Sequence, residues 1–488
     1  MSALKRALPG AIGISFGSAN RLLGRLEAPD TEVHALLVAR GGWVGLEGYW
    51  APYGPGQPHG SQSLTKTMTG VALGAAMQEG LIGLDERLVD VFPEYARHAA
   101  GRRWWDALRV RHIASMAAGM DAQPSVTSPD WLEDFFRMEI AHAPGTAFFY
   151  NSIACSTVGA CVRKRSGQGL MDFLKPRVFD VVGIDAGHLL WHRHPDGLEN
   201  GSGGLVSTAR DNALMMELYR RGGVWDGRRI LSREWVDFAL RVQNPHTGRP
   251  AKYGGMLWVR DGFVMADGAM GQWAMLFPGK DLVISINQTL DGDAFERVLG
   301  ALESFAAGLS DAPVEWTAEE IAAFENRLAR LCIPAPRCRE DRPALEALSG
   351  RALRVVSGEA QFFADDLAIF DRAYTAPVRR FGFEAADGNL RLHVCADGGE
   401  VVCPVSMKGS RPVCTLDPVS PNPARTASVT GAFEKDGALA LEVRWLESCR
   451  VHNVTFRFDE EGADIVTERV PVGGFDVPPL YARAVWER

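Results

Sequence analysis

The stretch Gln62-Ser-Leu-Thr-Lys-Thr-Met-Thr-Gly-Val-Ala-Leu-Gly-Ala-Ala-Met-Gln-Glu-Gly80 decides how this chain is read. It follows a Gly/Pro/Ser loop at 52–62, opens a helix near Ser63, runs to about Glu79 and stops at Gly80. Within it, Ser63-Leu64-Thr65-Lys66 sets a serine and a lysine three residues apart, on one helix face. A lysine ammonium can then stand beside a serine hydroxyl. That hydroxyl is a poor nucleophile until a neighbouring base takes its proton. A lysine is such a base only where burial and nearby positive charge lower its pKa. The positive potential of a helix N-terminus also favours negative charge developing on the serine. The four-residue element is short, and Ser2-Ala3-Leu4-Lys5 repeats it at the terminus. Taken alone, Ser63 reads equally as a plain N-cap and Lys66 as a solvated lysine.

Outward from this helix, residues 32–50 read as a β-hairpin turning at Gly41-Gly42. Residues 85–240 are mostly helical with Gly/Pro breaks, strands return near 254–266 and 280–288, and 294–309 form an amphipathic helix. Strand pair, helices, strands and closing helix predict an α+β fold, a sheet whose chain leaves to build a helical lobe and comes back. Residues 311–349, with one helix and Pro334, Pro336 and Pro343, read as a connector. From 350 to 488 short alternating runs appear: Arg351–Ser357, Leu367–Ala373, Leu390–Cys395, Glu400–Val405, Ala438–Trp445 and Val454–Phe458. With hairpin turns at Asp387-Gly388 and Asp436-Gly437, they predict a compact, barrel-like antiparallel β-domain. The expected organisation is therefore 1–310, a connector at 311–349, and 350–488.

Composition narrows the function classes. The 488 residues are 46% hydrophobic and 23% charged, which excludes a disordered chain and a coiled coil. The net charge of −8 does not suggest a nucleic-acid surface. Residues 311–488 hold 21 Lys+Arg against 28 Asp+Glu, so most of the acidity lies there. No apolar run reaches 18 residues, so no membrane span is expected, and the start does not read as a signal peptide. The eight cysteines need no disulfide framework in a chain this long; reduced thiols and a cytoplasmic location are expected. Cys332 and Cys338 lack a second pair, and His192 with His194 reads as a surface loop, so no metal is expected. Thr208 with Asp211 reads as a capping box. Trp104-Trp105 reads as packing; Tyr253, Trp258 and Trp273 read equally as pocket lining or core.

The region from Gln62 through Asp85-Glu-Arg-Leu-Val-Asp-Val-Phe-Pro-Glu94 resembles the active-site helix of the serine β-lactamase/penicillin-binding-protein superfamily. Further segments follow in that family's order: Leu108–Met120, Pro144-Gly-Thr-Ala-Phe-Phe-Tyr150, Gly201-Ser-Gly-Gly-Leu-Val-Ser-Thr-Ala-Arg-Asp211 and Gly222–Val236. The resemblance covers about 30–310. It is closest to the branch of class C β-lactamases, D-alanyl-D-alanine carboxypeptidases, family VIII carboxylesterases and aminohexanoate-oligomer hydrolases.

The resemblance implies Ser63 as the acylated nucleophile, with Lys66 and Tyr150 as the proton-transfer pair. It implies an oxyanion hole from the N–H groups of Ser63 and Gln272. Ser152 occupies the slot of an asparagine that holds a substrate amide carbonyl, in Tyr150-Asn151-Ser152. Ala269-Met270-Gly271 occupies that of Lys-Thr-Gly, without its cation, followed by Gln272 and Trp273. Ser152, Ala269, Gly271 and Trp273 are thus the expected substrate-binding positions, and the missing cation points from carboxylated substrates toward neutral ones. The expected function is hydrolysis of a small-molecule carboxylic ester or simple amide, without cofactor, nucleic-acid or membrane partner, with a homo-oligomer open. A D-stereospecific peptidase, amidase or β-lactamase, an acyltransferase and a non-catalytic binding protein on the same fold are the rival readings.

Overall fold

The computed structural model describes residues 4–290, 292–335, 341–362, 377–397, 399–415, 425–469 and 478–487. Cys338, Pro336 and the run Leu367–Ala373 lie outside the described residues. Contacts divide the chain into one unit of Met1–Gly48, Gly60–Gln288 and Asp293–Leu328, and another of Tyr49–His59, Thr289–Gly292 and Ala329–Arg488. The connector stretch is thus shared: helix Ala318–Leu328 goes with the first unit, and Ala329 onward with the second.

The first unit is built on an eight-stranded sheet. Its order is Lys5–Arg6, Trp43–Tyr49, Glu32–Arg40, Leu282–Thr289, Gln272–Phe277, Phe263–Gly268, Trp258–Arg260 and Lys252–Tyr253. The first hairpin turns where expected: Gly41 (φ 58°) and Gly42 (φ 85°) take the left-handed conformations of a two-residue turn. The two strands expected at 254–266 and 280–288 are in fact four, Trp258–Arg260, Phe263–Gly268, Gln272–Phe277 and Leu282–Thr289. The turns Ala269–Gly271 and Pro278–Lys280 fold the last three into a meander.

Between the two halves of this sheet the chain builds the helical lobe. Its centre is helix Thr65–Gln78, buried from Thr65 to Ala76 and packed against helices Ser152–Ser166 and Arg233–Ala239. A helix apolar on all sides belongs inside a core. Gly74 allows Trp235 to lie against the helix; a Cβ there would overlap the indole. The expected start at Ser63 is a 3-10 turn, Gln62–Leu64, that leads into the α-helix without a side-chain cap. The capping box of helix Ala209–Arg220 is present: Asp211 N–H donates to Thr208 Oγ1 (3.1 Å) and Thr208 N–H to Asp211 Oδ2 (2.9 Å).

The second unit is a closed barrel. Strands Gly399–Ser406, Asn389–Ala396, Val378–Ala386, Ala352–Gly358, Leu480–Trp486, Gly462–Arg469, Val451–Phe458, Leu439–Trp445 and Thr426–Phe433 pair antiparallel in that order. A parallel pairing of Val405 with Val429 and Ser406 with Thr430 closes the ring. Closure leaves no free sheet edge along these nine strands. The short strand Val413–Thr415 adds to Thr426–Phe433. Inward residues such as Phe381, Leu392, Val443, Phe456 and Ala484 form its core, with Leu345 and Leu348 of helix Arg342–Leu348 packed into it. The expected turn Asp387-Gly388 is there, with φ of 51° and 73°.

Candidate active site

The loop before helix Thr65–Gln78 is held by the segment 201–207. Ser61 N–H donates to Leu205 O (2.8 Å), Leu205 N–H to Thr65 Oγ1 (3.2 Å), and Thr69 Oγ1 to Gly201 O (2.8 Å). Ser61 Oγ and Ser207 Oγ are 2.7 Å apart. Gln62 takes φ 50°, a left-handed conformation uncommon for a residue with a side chain, and directly precedes Ser63. Such conformations persist where surrounding contacts hold them, often at functional sites.

Ser63 is partly exposed, whereas Lys66 is 2% exposed. The Lys66 ammonium donates to Ser63 Oγ (3.0 Å) and to the Ser202 carbonyl (2.7 Å). It lies 4.9 Å from the centroid of the Tyr150 ring. The structure therefore brings Ser63, Lys66 and Tyr150 together, and Lys66 is not a solvated lysine. Tyr150 in turn stacks on Trp258, which meets Tyr253 edge-on (5.0 Å). Of the aromatic residues left open between pocket and core, Trp258 backs Tyr150 and Tyr253 is 2% exposed behind it. Burial holds the Tyr253 phenol well above its ordinary pKa.

The strand end opposite belongs to Gly268. A Cβ on Gly268 would overlap the Ser61 carbonyl oxygen and lie 3.2 Å from Gln62 Cβ. The glycine against the Ser61-Gln62 loop is thus Gly268, one residue before the expected Ala269-Met270-Gly271, which instead forms the hairpin turn. Ala269 is exposed and Gly271 buried. Gln272 pairs across the hairpin with Gly268, and its wholly buried side chain bonds Asn287 Nδ2 (3.2 Å) and Gln288. Trp273, expected at the substrate, is wholly buried: its ring meets Phe295 (4.8 Å) and its Nε1 donates to Asp267 Oδ1 (2.9 Å). It faces the sheet's packing against helix Ala294–Ala307.

Ser152 begins helix Ser152–Ser166 and is partly exposed, its N–H donating to Gln123 Oε1 (2.6 Å). Asn151, one residue before the expected asparagine slot, is buried and caps this helix through Oδ1 to Ala154 N–H (2.9 Å). Asp267 went unread in the sequence; burial pushes its carboxyl up to about 6. His192 and His194 are not on the surface: they are 8% and 4% exposed, and burial pulls His192 down to about 4. No group of three or more metal-ligating side chains exists among the described residues, and no helix there is long and apolar enough to cross a membrane.

The beta-lactamase family model matches residues 24–308, more than half of the chain. The chain belongs to the beta-lactamase family. It lies in the beta-lactamase/transpeptidase-like superfamily, whose characteristic chemistry is that of serine hydrolases. Among curated relatives, a Yersinia enterocolitica beta-lactamase is 32% identical over 127 residues, 25% of this chain and 31% of that protein. The 6-aminohexanoate-dimer hydrolase of Paenarthrobacter ureafaciens is 25% identical over 237 residues, 44% of this chain and 58% of that protein. The matched regions thus span less than two-thirds of these relatives' lengths. Among solved structures, a putative 6-aminohexanoate-dimer hydrolase from Bacillus anthracis superposes with a TM-score of 0.51 at 19% identity, over 64% of this chain and 89% of that one. A penicillin-binding protein homologue from Caulobacter crescentus gives 0.51 at 18% identity, over 60% and 97%. These two likenesses concern the fold.

Proposed function

We propose that this chain is a serine hydrolase that cleaves a carboxylic ester or simple amide through an acyl-enzyme on Ser63. The observation that carries this reading is the buried Lys66 ammonium 3.0 Å from Ser63 Oγ, beneath the ring of Tyr150. For this step Lys66 is the neutral amine: its Nζ, with Tyr150 as relay, takes the Ser63 proton as Oγ attacks the carbonyl carbon. The same pair returns it to the departing alcohol or amine. Water, deprotonated by the pair, then attacks the acyl-enzyme, and Ser63 recovers its proton as the carboxylic acid leaves.

The oxyanion takes Ser63 N–H and a backbone N–H of the turn at Ala269–Gln272. Because Gly268 is the point of closest approach, Ala269 N–H is favoured over Gln272 N–H. A backbone donor needs no particular side chain, and such a donor is worth roughly 10²–10³ in rate. With Gly268 as the motif glycine the place of the cation falls on Ala266, which carries none, and Ser152 stands where an amide-binding asparagine is expected, which favours neutral ester or simple amide substrates.

Intact-mass analysis after a fluorophosphonate probe tests this, alongside hydrolysis of p-nitrophenyl esters. One adduct is expected on the wild type and none on Ser63→Ala; an adduct that persists in Ser63→Ala overturns the assignment. Nitrocefin and D-amino-acid amides in the same assay rank the β-lactamase and peptidase readings against the esterase. An unlabelled wild type supports a binding protein on this fold.

A further inference from the structure

The pair His192 and His194 finds no role in the chemistry above, yet His194 is buried and stands at the end of a hydrogen-bond series that reaches Lys66. Its ring stacks on Trp131, with centroids 4.3 Å apart and planes 20° from parallel. Its Nδ1 lies 3.2 Å from the Val126 carbonyl and its Nε2 3.0 Å from Ser156 Oγ. Ser156, wholly buried on helix Ser152–Ser166, donates to Asn200 Oδ1 (3.1 Å). Asn200 Oδ1 also accepts from Ser202 N–H (3.0 Å) and Ser202 Oγ (2.7 Å). The Ser202 carbonyl is the one that receives the Lys66 ammonium. An unbroken series of hydrogen bonds thus runs His194–Ser156–Asn200–Ser202–Lys66–Ser63.

The directions of these bonds are constrained. Asn200 Oδ1 is a carbonyl oxygen and can only accept. Ser156 Oγ links His194 Nε2 to Asn200 Oδ1; a neutral imidazole has a single N–H, which either Nδ1 gives to the Val126 carbonyl or Nε2 gives to Ser156 Oγ. A lysine ammonium ends a flexible four-carbon stem, so its direction is set by its acceptors rather than by its own geometry. Ser202 lies in an irregular turn, and the side chain of Asn200 closes that turn onto its own backbone two residues on. The Asn200 backbone is pinned as well: its N–H donates to His192 O (2.7 Å) and its carbonyl accepts from Trp191 Nε1 (2.8 Å).

We infer that His194 is a positioning residue for the candidate site: through Ser156 and Asn200 it fixes the Ser202 carbonyl and so aims the Lys66 ammonium at Ser63. This rests on the reading of Ser63 as nucleophile. A misplacement of about 1 Å in such an arrangement can cost on the order of 100-fold in rate.

Three full-length proteins test it: wild type, His194→Phe, which keeps a ring against Trp131 without a donor, and His194→Gln, which keeps a donor near the place of Nε2. Each is measured for the rate of fluorophosphonate labelling at Ser63, for kcat and KM on one p-nitrophenyl ester between pH 6 and 10 (an assay range of about four units spanning the His-to-Lys region), and for Tm. His194→Phe should lower kcat and the labelling rate roughly 10–100-fold with KM nearly unchanged. It should also alter the pH profile of kcat, because the series that orients Lys66 Nζ is broken. His194→Gln should recover most of both. A His194→Phe protein with wild-type kcat and pH profile overturns the inference while leaving the Ser63 reading intact. So does a loss of activity that tracks a fall in Tm and is not recovered by Gln. A wild type that is not labelled at Ser63 overturns the reading itself, and the inference with it.

Discussion

Trp258 lies parallel to Tyr150, ring centroids 6.0 Å apart and planes 13° apart, and the Lys66 ammonium lies 4.9 Å from the centroid of the same tyrosine ring. Trp258→Ala removes one wall of that arrangement. Truncating a buried Trp costs about 3–5 kcal/mol, and Trp258 is 6% exposed. The expected outcome is a lower Tm together with a kcat loss of about tenfold or more. Trp258→Phe keeps an aromatic face and should fall between the two; thermal melts and ester hydrolysis on the same samples check this.

Gly268→Ala places a methyl group where the Ser61 carbonyl stands. The strand end and the nucleophile loop then have to separate. Labelling of Ser63 should slow by roughly 10–100-fold, the range that a lost oxyanion donor or a shift of about 1 Å produces. Gly279→Ala is the control, since a Cβ there meets nothing within 4 Å. Equal labelling rates for the two variants would remove Gly268 from the site.

Asp267 couples stability to pH. Its carboxyl is held up at about 6, chiefly by burial, against an ordinary 3.8. The unfolded chain therefore ionises first as pH rises, and the folded protein loses stability between about pH 4 and 6. Asp267→Asn keeps the oxygen that accepts from Trp273 Nε1 and removes this loss. Its Tm relative to wild type should rise across that interval and stay level above it, with a gap on the order of 2 kcal/mol at neutral pH.

His188 behaves in the opposite sense. Its Nε2 is 2.7 Å from Asp211 Oδ2, and this hydrogen bond raises the imidazole above its ordinary 6.5. The stabilisation is complete below about 6.5 and is lost as pH rises through the folded value. His188→Gln should therefore destabilise the protein at pH 6 (near the ordinary histidine value) and have a smaller effect at about pH 9, read from urea midpoints.

Much of the first unit and of its candidate site was legible because its signals are local. Ser63, Lys66 and Tyr150 sit in short motifs, and the Gly41-Gly42 turn and the Thr208–Asp211 cap are set by residues next to each other. What was illegible depends on contacts between distant segments. Ala269-Met270-Gly271 has the look of a strand-edge motif, but only the approach of Gly268 to Ser61 shows which glycine meets the nucleophile loop. Trp273 alternates along its strand onto the buried face, so proximity to the motif misled. His194 reads as a loop histidine until Trp131 and Ser156 close around it. In the barrel, strands such as Gly462–Arg469 and Leu480–Trp486 present small inward residues (Ala463, Ala482 and Ala484) whose hydrophobic signal is weak. Bulky neighbours fill the interior in their place.

The eleven residues Tyr49–His59 count with the second unit, although Gly60 returns the chain to the first. Within the second unit, Ala51 N–H donates to Leu331 O (3.0 Å) and Ile333 N–H to Ala51 O (2.8 Å). The last of those eleven residues stands four positions before Ser63 in the sequence. Modularity therefore fails for this chain. A gene fragment ending at Leu328 would carry every candidate catalytic residue, yet leave Ala51, in the lead-in to Ser63, without Leu331 and Ile333. A design that moves residues 60–328 alone has to rebuild the anchor of Ala51.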